Sequence, residues 1–194
     1  MTTSGDNKHK VAEFLLQIKA IQLSPENPFT WASGRKSPIY CDNRIILSHP
    51  EIRTFVRQLA TEQIEERFGR PEAIAGVATG GIALGALIAQ ELGLPFIYVR
   101  ASAKAHGTGQ RIEGDYSLFS SVFVIEDLIS TGKSSLSAVD ALRSAGLEVK
   151  GLLAFFTYGF SDAVNRFKNS KCQYFTLTGA WPSRFPQGVE LPNI

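Results

Sequence analysis

Cysteine is scarce in this 194-residue sequence: the two present, Cys41 and Cys172, stand far apart and in no CxxC pair. That argues against a disulfide framework and against a zinc site, and fits a reducing compartment. Charge of one sign is lacking too. Twenty Lys and Arg face eighteen Asp and Glu, a formal net charge of +2, so no acidic tail or basic block exists to call for nucleic acid, and no segment reads as helix-turn-helix. The N-terminal stretch MTTSGDNKHK has no apolar signal core, so secretory export is not expected and a cytoplasmic location is. Long hydrophobic runs are missing except at Ala73–Ala89, where Thr79 is the one clearly polar side chain and Gly81 with Gly85 makes a GxxxG match. Four glycines in that run, and a length that barely reaches the ~20 residues of a span, speak against a membrane helix. Internal repeats and low-complexity blocks are absent.

At 44% hydrophobic, the chain can bury one core and is too short for two comfortable domains, so residues 1–194 read as a single domain. Val11, Phe14, Leu15 and Ile18 recur at helical spacing. Ser24-Pro25 and Asn27-Pro28 then break the pattern, and an irregular segment is expected up to Arg44. Ser48, Pro50 and Glu51 resemble a capped helix start, and Ile52, Phe55, Val56, Leu59 and Ile64 supply its apolar face. Strands follow at Ala73–Ala78, Phe96–Arg100, Val122–Glu126 and Leu147–Tyr158. Helices are expected at about Ile82–Leu92, stopped by Gly93, and at Lys133–Ala145, closed by Gly146. Beyond Lys168 only a closing strand and an irregular tail are expected. Apolar strands alternating with amphipathic helices imply an α/β fold: a parallel central sheet flanked by helices, with its chemistry just past the strand ends.

The sharpest motif follows one of those strands: Glu126-Asp127-Leu128-Ile129-Ser130-Thr131-Gly132-Lys133-Ser134-Ser135, then a helix. Backbone N–H groups of such a turn make an anion site, with Ser and Thr hydroxyls adding donors. Two carboxylates would repel a phosphate, so they make sense facing hydroxyls or a divalent cation. A ribose 5-phosphate has both ends. Gly132-Lys133-Ser134 also matches the end of a nucleotide P-loop, but the match fails at its first glycine, which is Asp127. The bland alternative is a capped helix with two surface acids before it.

This constellation resembles the phosphoribosyl pyrophosphate (PRPP) signature of the type I phosphoribosyltransferases. The resemblance implies that Glu126 and Asp127 hold the ribose hydroxyls, that Leu128 and Ile129 lead into the loop, and that Ser130, Thr131, Gly132, Lys133 and Ser134 grip the 5-phosphate. It also implies Mg²⁺, held mainly by PRPP near Glu126 and Asp127, and carboxylate stabilisation of positive charge at the anomeric carbon, with Asp127 catalytic.

Three further segments are similar to the orotate branch of that family. Phe29-Thr-Trp-Ala-Ser-Gly-Arg-Lys-Ser-Pro-Ile-Tyr40 looks like the small N-terminal hood, about residues 1–45, over a core of about 70–160; it implies that Ile39 and Tyr40, with Ser130 and Tyr158, contact the flat base. Gly76-Val-Ala-Thr79-Gly80-Gly81 could cradle pyrophosphate through backbone N–H groups, or serve as tight helix-on-sheet packing. Arg100-Ala-Ser-Ala-Lys104-Ala-His106-Gly matches the branch's basic lid, in which Lys104 and His106 clamp or protonate the leaving group, and which in the family reaches into the neighbouring subunit of a homodimer. His9 and His49 read as structural or exposed. Departures from the pattern fall at Ala32, Ala101 and Tyr158, where the family carries cations, with Arg35 or Lys36 placed to compensate. The expectation is thus phosphoribosyl transfer to orotate; the alternatives are transfer to another base, or a regulator that binds PRPP without turning it over.

Overall fold

The computed structural model describes residues 4–31, 36–102 and 110–179. Helix α1 (Ser4–Gln17) is followed by four short strands, β1 (Ile21–Leu23), β2 (Phe29–Thr30), β3 (Lys36–Ser37) and β4 (Ile39–Cys41), and a 3-10 turn, Asn43–Ser48. The stretch expected to be irregular is therefore folded into two small antiparallel pairs, β1 with β4 and β2 with β3. These strands are two or three residues long, too short to leave a periodic trace in the sequence.

Helix α2 (Pro50–Phe68) begins one residue later than the Ser48 cap implies. His49 is the N-cap, without a side-chain hydrogen bond, and Pro50 takes the first helical position. Proline suits that position because its missing N–H would have had no partner there. Ile52, Val56, Leu59 and Ile64 bury their side chains as expected.

The remaining chain alternates: β5 (Ile74–Val77), α3 (Gly80–Leu92), β6 (Phe96–Val99), β7 (Ile112–Glu113), β8 (Ser121–Ile129), α4 (Lys133–Ser144), β9 (Glu148–Thr157), α5 (Ser161–Asn169) and β10 (Tyr174–Gly179). Six of these strands form one sheet in the order β10-β9-β8-β5-β6-β7. All neighbours are parallel except β7, which runs antiparallel on the edge beside β6.

Alternate residues of the strands feed two cores, one on each face. Phe123 and Ile125 of β8 join Leu84, Ile88 and Leu92 of α3 and Val56 and Ile64 of α2 on one face. Val122 and Val124 join Val139 and Leu142 of α4 and Phe167 of α5 on the other. Among the described residues no helix is long and apolar enough to cross a membrane. Instead, the apolar Ala73–Ala89 run divides into a buried strand and a helix packed on it.

Candidate active site

The chain order of the sheet reverses at its centre. From β5 the chain proceeds through α3 to β6 on one side, then returns to lay β8 on the other side of β5. Such a reversal parts the loops leaving the two strands and opens a crevice at their carboxyl ends. A cavity of about 290 Å³ lies there, lined by Asp42, Arg44, Thr79, Gly80, Glu126, Asp127, Leu128 and Ser134 among others. A smaller one of about 70 Å³ shares Ala78 and Ser134 with it and extends to Arg100 and Arg111.

Strand β8 runs three residues past the expected end because β9 keeps pairing with it: Glu126 opposes Ala154, Leu128 opposes Phe156 and Ile129 opposes Thr157. Both acids of the motif thus sit on a strand, where side chains alternate between faces. Glu126 is buried, 4% exposed. Its carboxylate accepts the Ser135 hydroxyl of α4 at 2.8 Å and the Asp127 N–H at 3.1 Å. Burial, and then the charge of Asp127, push its pKa well above the usual carboxylate range. The reading of two surface acids therefore fails for Glu126.

Asp127 is only half-buried, and its carboxylate lies at the N-terminus of α3 so closely that a Cβ on Gly80 would overlap it. A carboxylate is favourable at a helix start. Gly81 lets α3 meet the Ile125 carbonyl of β8, and a Cβ on Gly76 would lie 2.7 Å from the Gly81 carbonyl. The glycines of this loop therefore serve tight packing, with Gly80 the one that faces the cavity's acid.

The start of α3 at Thr79 and that of α4 at Gly132 both lack a side-chain cap. First-turn N–H groups without such partners are donors for an anion. Gly132 takes φ 75°, a left-handed conformation, with the Phe167 ring of α5 3.0 Å from where a Cβ would be. Glycine is therefore required twice over, for conformation and for space.

The hood closes one side. Asn43, fully buried, donates from Nδ2 to the Asp127 carbonyl at 2.6 Å, and its Oδ1 accepts the Cys41 thiol at 3.4 Å. The Tyr158 hydroxyl accepts the Cys41 N–H at 3.2 Å, and its ring packs 4.4 Å from Trp31. Burial is the main cause that raises the pKa of both Tyr158 and Cys41, so neither ionises near neutrality. Asp42 caps the 3-10 turn by accepting the Arg44 N–H, and it also pairs with the Arg44 guanidinium at 2.7 and 2.8 Å. Hydrogen bonding from Arg44 holds its pKa below the usual carboxylate value.

Thr79, Gly80, Glu126, Asp127, Leu128 and Ser134 thus meet in one cavity. Ser130, Thr131, Gly132 and Lys133 form the turn into α4 beside it. Arg100 lies at the smaller cavity, paired with Glu113 at 3.4 Å. Ile129 does not reach the cavity: its side chain is wholly buried and its carbonyl takes the Tyr158 N–H. Ile39 is equally buried, and its carbonyl accepts both Trp31 Nε1 and the Ser37 hydroxyl; pairing of β4 with β1 turns that side chain into the core. Tyr40 is exposed, its ring beside Phe29. Lys104 and His106, like Ala32 and Arg35, lie outside the described residues.

The sequence reading gave no role to Asp42, Asn43, Arg44 or Ser135. A signal existed for the first three: Asp-Asn-Arg is a polar triplet set between the apolar Ile39-Tyr40-Cys41 and Ile45-Ile46. Ser135 closes the quoted motif, but nothing local marks it as the partner of Glu126. For a divalent cation the cavity offers chiefly Asp127, since Asp42 is paired and Glu126 is pushed toward neutrality. One carboxylate suits a hard cation that draws most of its oxygen ligands from a substrate.

The two uncapped helix starts of the crevice at the strand-order reversal, and the acidic pair on the strand between them, lie within residues 42–185, which match the family model of the phosphoribosyl transferase domain. A protein named orotate phosphoribosyltransferase from Phocaeicola vulgatus is 58% identical over 167 residues, covering 86% of this chain and 79% of that one. Another of that name from Listeria innocua is 52% identical over 169 residues, 87% and 81% of the two chains. The crystal structure of orotate phosphoribosyltransferase from Aeropyrum pernix superposes with a TM-score of 0.78 at 30% identity, covering 87% of this chain and 93% of that one. The chain belongs to the orotate phosphoribosyltransferase family.

Proposed function

We propose that this chain transfers the 5-phosphoribosyl group of PRPP to N1 of orotate, giving orotidine 5′-monophosphate and pyrophosphate in pyrimidine nucleotide synthesis. The observation that carries the reading is the meeting of Asp127, Glu126 and two uncapped helix starts in one cavity. The 5-phosphate is received by the turn Ser130–Ser134 and the first N–H groups of α4. The pyrophosphate lies toward Thr79, Gly80 and Arg100. Glu126 and Asp127 address the ribose hydroxyls, Glu126 as a group able to donate when protonated and Asp127 as an acceptor.

As the C1–O bond to pyrophosphate breaks, positive charge grows at the anomeric carbon, and the Asp127 carboxylate stabilises it. Bound Mg²⁺ would neutralise charge on the departing pyrophosphate. Lys104 and His106 hold that group and supply its proton, and a lid carrying them excludes water. Ser130, Tyr40 and the Trp31–Tyr158 pair border the base. The working form is a cytoplasmic homodimer in which each chain, one domain with its hood, lends its lid to its partner.

Purified chain mixed with PRPP, Mg²⁺ and orotate should consume orotate absorbance and release pyrophosphate in step. Pyrophosphate release only with a different base would reassign the pocket, and binding without turnover of any base would make the chain a PRPP sensor.

A further inference from the structure

Orotate carries a carboxylate beside the nitrogen that attacks, and a carboxylate taken into a cavity without a partner is costly. Its partner is not where the family pattern places it. The residue after β9 is Tyr158, whose hydroxyl accepts the Cys41 N–H and carries no charge, and position 101 is alanine. The charged side chains described around the 290 Å³ cavity are three acids, Asp42, Glu126 and Asp127, and one cation, Arg44.

On the reading of orotate as acceptor, we propose that Arg44 receives the orotate carboxylate and sets the preference for orotate over a base that lacks one. Asp42 occupies a single edge of the guanidinium, Nε at 2.7 Å and one Nη2 hydrogen at 2.8 Å. The other edge, Nη1 and the second Nη2 hydrogen, has no partner among the described residues, and the side chain is 60% exposed. A guanidinium fork binds a carboxylate bidentately along such an edge.

Asp42 also accepts the Arg44 N–H at 3.1 Å, so one carboxylate fixes both the turn and the direction of the fork. The preceding residue, Asn43, is bonded to the Asp127 carbonyl. The cation is thereby tied, one residue away, to the strand end that serves the anomeric carbon. Its positive charge also offsets the repulsion an incoming carboxylate would meet from Asp42 and Asp127.

The test compares orotate with uracil, the same ring without the carboxylate, in Arg44→Gln and Arg44→Lys. Steady-state kinetics and calorimetric titration of each base in the presence of pyrophosphate would be read together. Arg44→Gln should lower kcat/KM and affinity for orotate by about 10- to 100-fold, the range of a charged hydrogen bond. Uracil and the KM for PRPP should stay within about twofold. Arg44→Lys, which keeps the charge and loses the fork, should fall between. An orotate-to-uracil ratio unchanged in either variant would overturn the proposal, as would a loss expressed in the KM for PRPP, which would assign Arg44 to the pyrophosphate. Unsubstituted protein that turns over another base but not orotate would instead remove the acceptor assignment, and this role with it.

Discussion

Glu126 and Asp127 are neighbours in sequence with opposite surroundings. Strand alternation sends Glu126 under Ser135 of α4 and Asp127 over Gly80 of α3. The folded protein favours protonated Glu126, so this residue destabilises the fold only as it ionises. Below its ordinary value of 4.5, folded and unfolded chains are both protonated and no stability is lost. As pH rises from there toward the raised folded value, the unfolded chain releases its proton first and stability declines. Glu126→Gln cannot ionise, so its Tm relative to the unsubstituted protein, measured without ligand, should climb from pH 4 to pH 8. A Tm difference flat across that range would mean that Glu126 ionises normally in the fold.

Two adjacent glycines should give contrasting outcomes. A Cβ at Gly80 meets the Asp127 carboxylate, a side-chain group that can turn away, whereas one at Gly81 meets the Ile125 carbonyl on the strand backbone. Gly80→Ala should therefore keep its Tm and lose turnover by displacing the carboxylate. Gly81→Ala should lose roughly 1–3 kcal/mol of stability, the usual cost of overpacking. Thermal melts beside kcat separate the two, and a Gly80→Ala enzyme of normal kcat would clear Asp127 of the role given to it.

At the scale of elements, the join between hood and sheet includes, among the described residues, two hydrogen bonds from unlike sources, Tyr158 with the Cys41 N–H and Asn43 with the Asp127 carbonyl. Tyr158→Phe leaves the Cys41 N–H buried without an acceptor, which costs about 1–3 kcal/mol. Urea unfolding should show that loss, and the KM for orotate should rise more than the KM for PRPP; equal stability would show that the N–H finds another partner.

The alternation of β5, α3, β6, β8, α4 and β9 was legible because strands buried on both faces read as apolar runs and the helices end at glycine. Helix α5 was not. It is nine residues long and mostly exposed, with Ala163 and Phe167 as its buried contacts, too few to set a period. Its acid-first, base-last order, Asp162 before Arg166 and Lys168, was the trace available. The last three residues of β8 were missed because the chain from Asp127 onward read as a loop, whereas β9 pairs with Leu128 and Ile129 and carries the strand on. The site was legible in its contiguous motif. Arg44 and Asn43 reach it across more than eighty residues of chain, a closeness that topology creates and local sequence does not record.

For the molecule as a whole, the strand-order reversal gathers segments from residue 41 to residue 134 around one cavity, while the proposed dimer would put Lys104 and His106 in the partner's site. That division can be tested by mixing. Asp127→Asn and Lys104→Ala proteins, each expected to lose most turnover, should after unfolding and refolding together recover about a quarter of normal activity, since half of the random dimers would carry one intact site. No recovery, with mixed dimers shown to form, would place the lysine in its own chain's site.

The two hydrogen bonds described between hood and sheet end on backbone atoms, the N–H of Cys41 at one and the C=O of Asp127 at the other. Neither demands a particular side chain at the position it grips. An ancestral line that kept a tyrosine after β9, an asparagine after Asp42 and apolar residues at the buried positions could rewrite the exposed part of the hood, acquiring a new acceptor while inheriting the sugar-phosphate machinery unaltered. Transplanting residues 20–48 between relatives that differ in acceptor is thus a short route to a chimera with exchanged tastes.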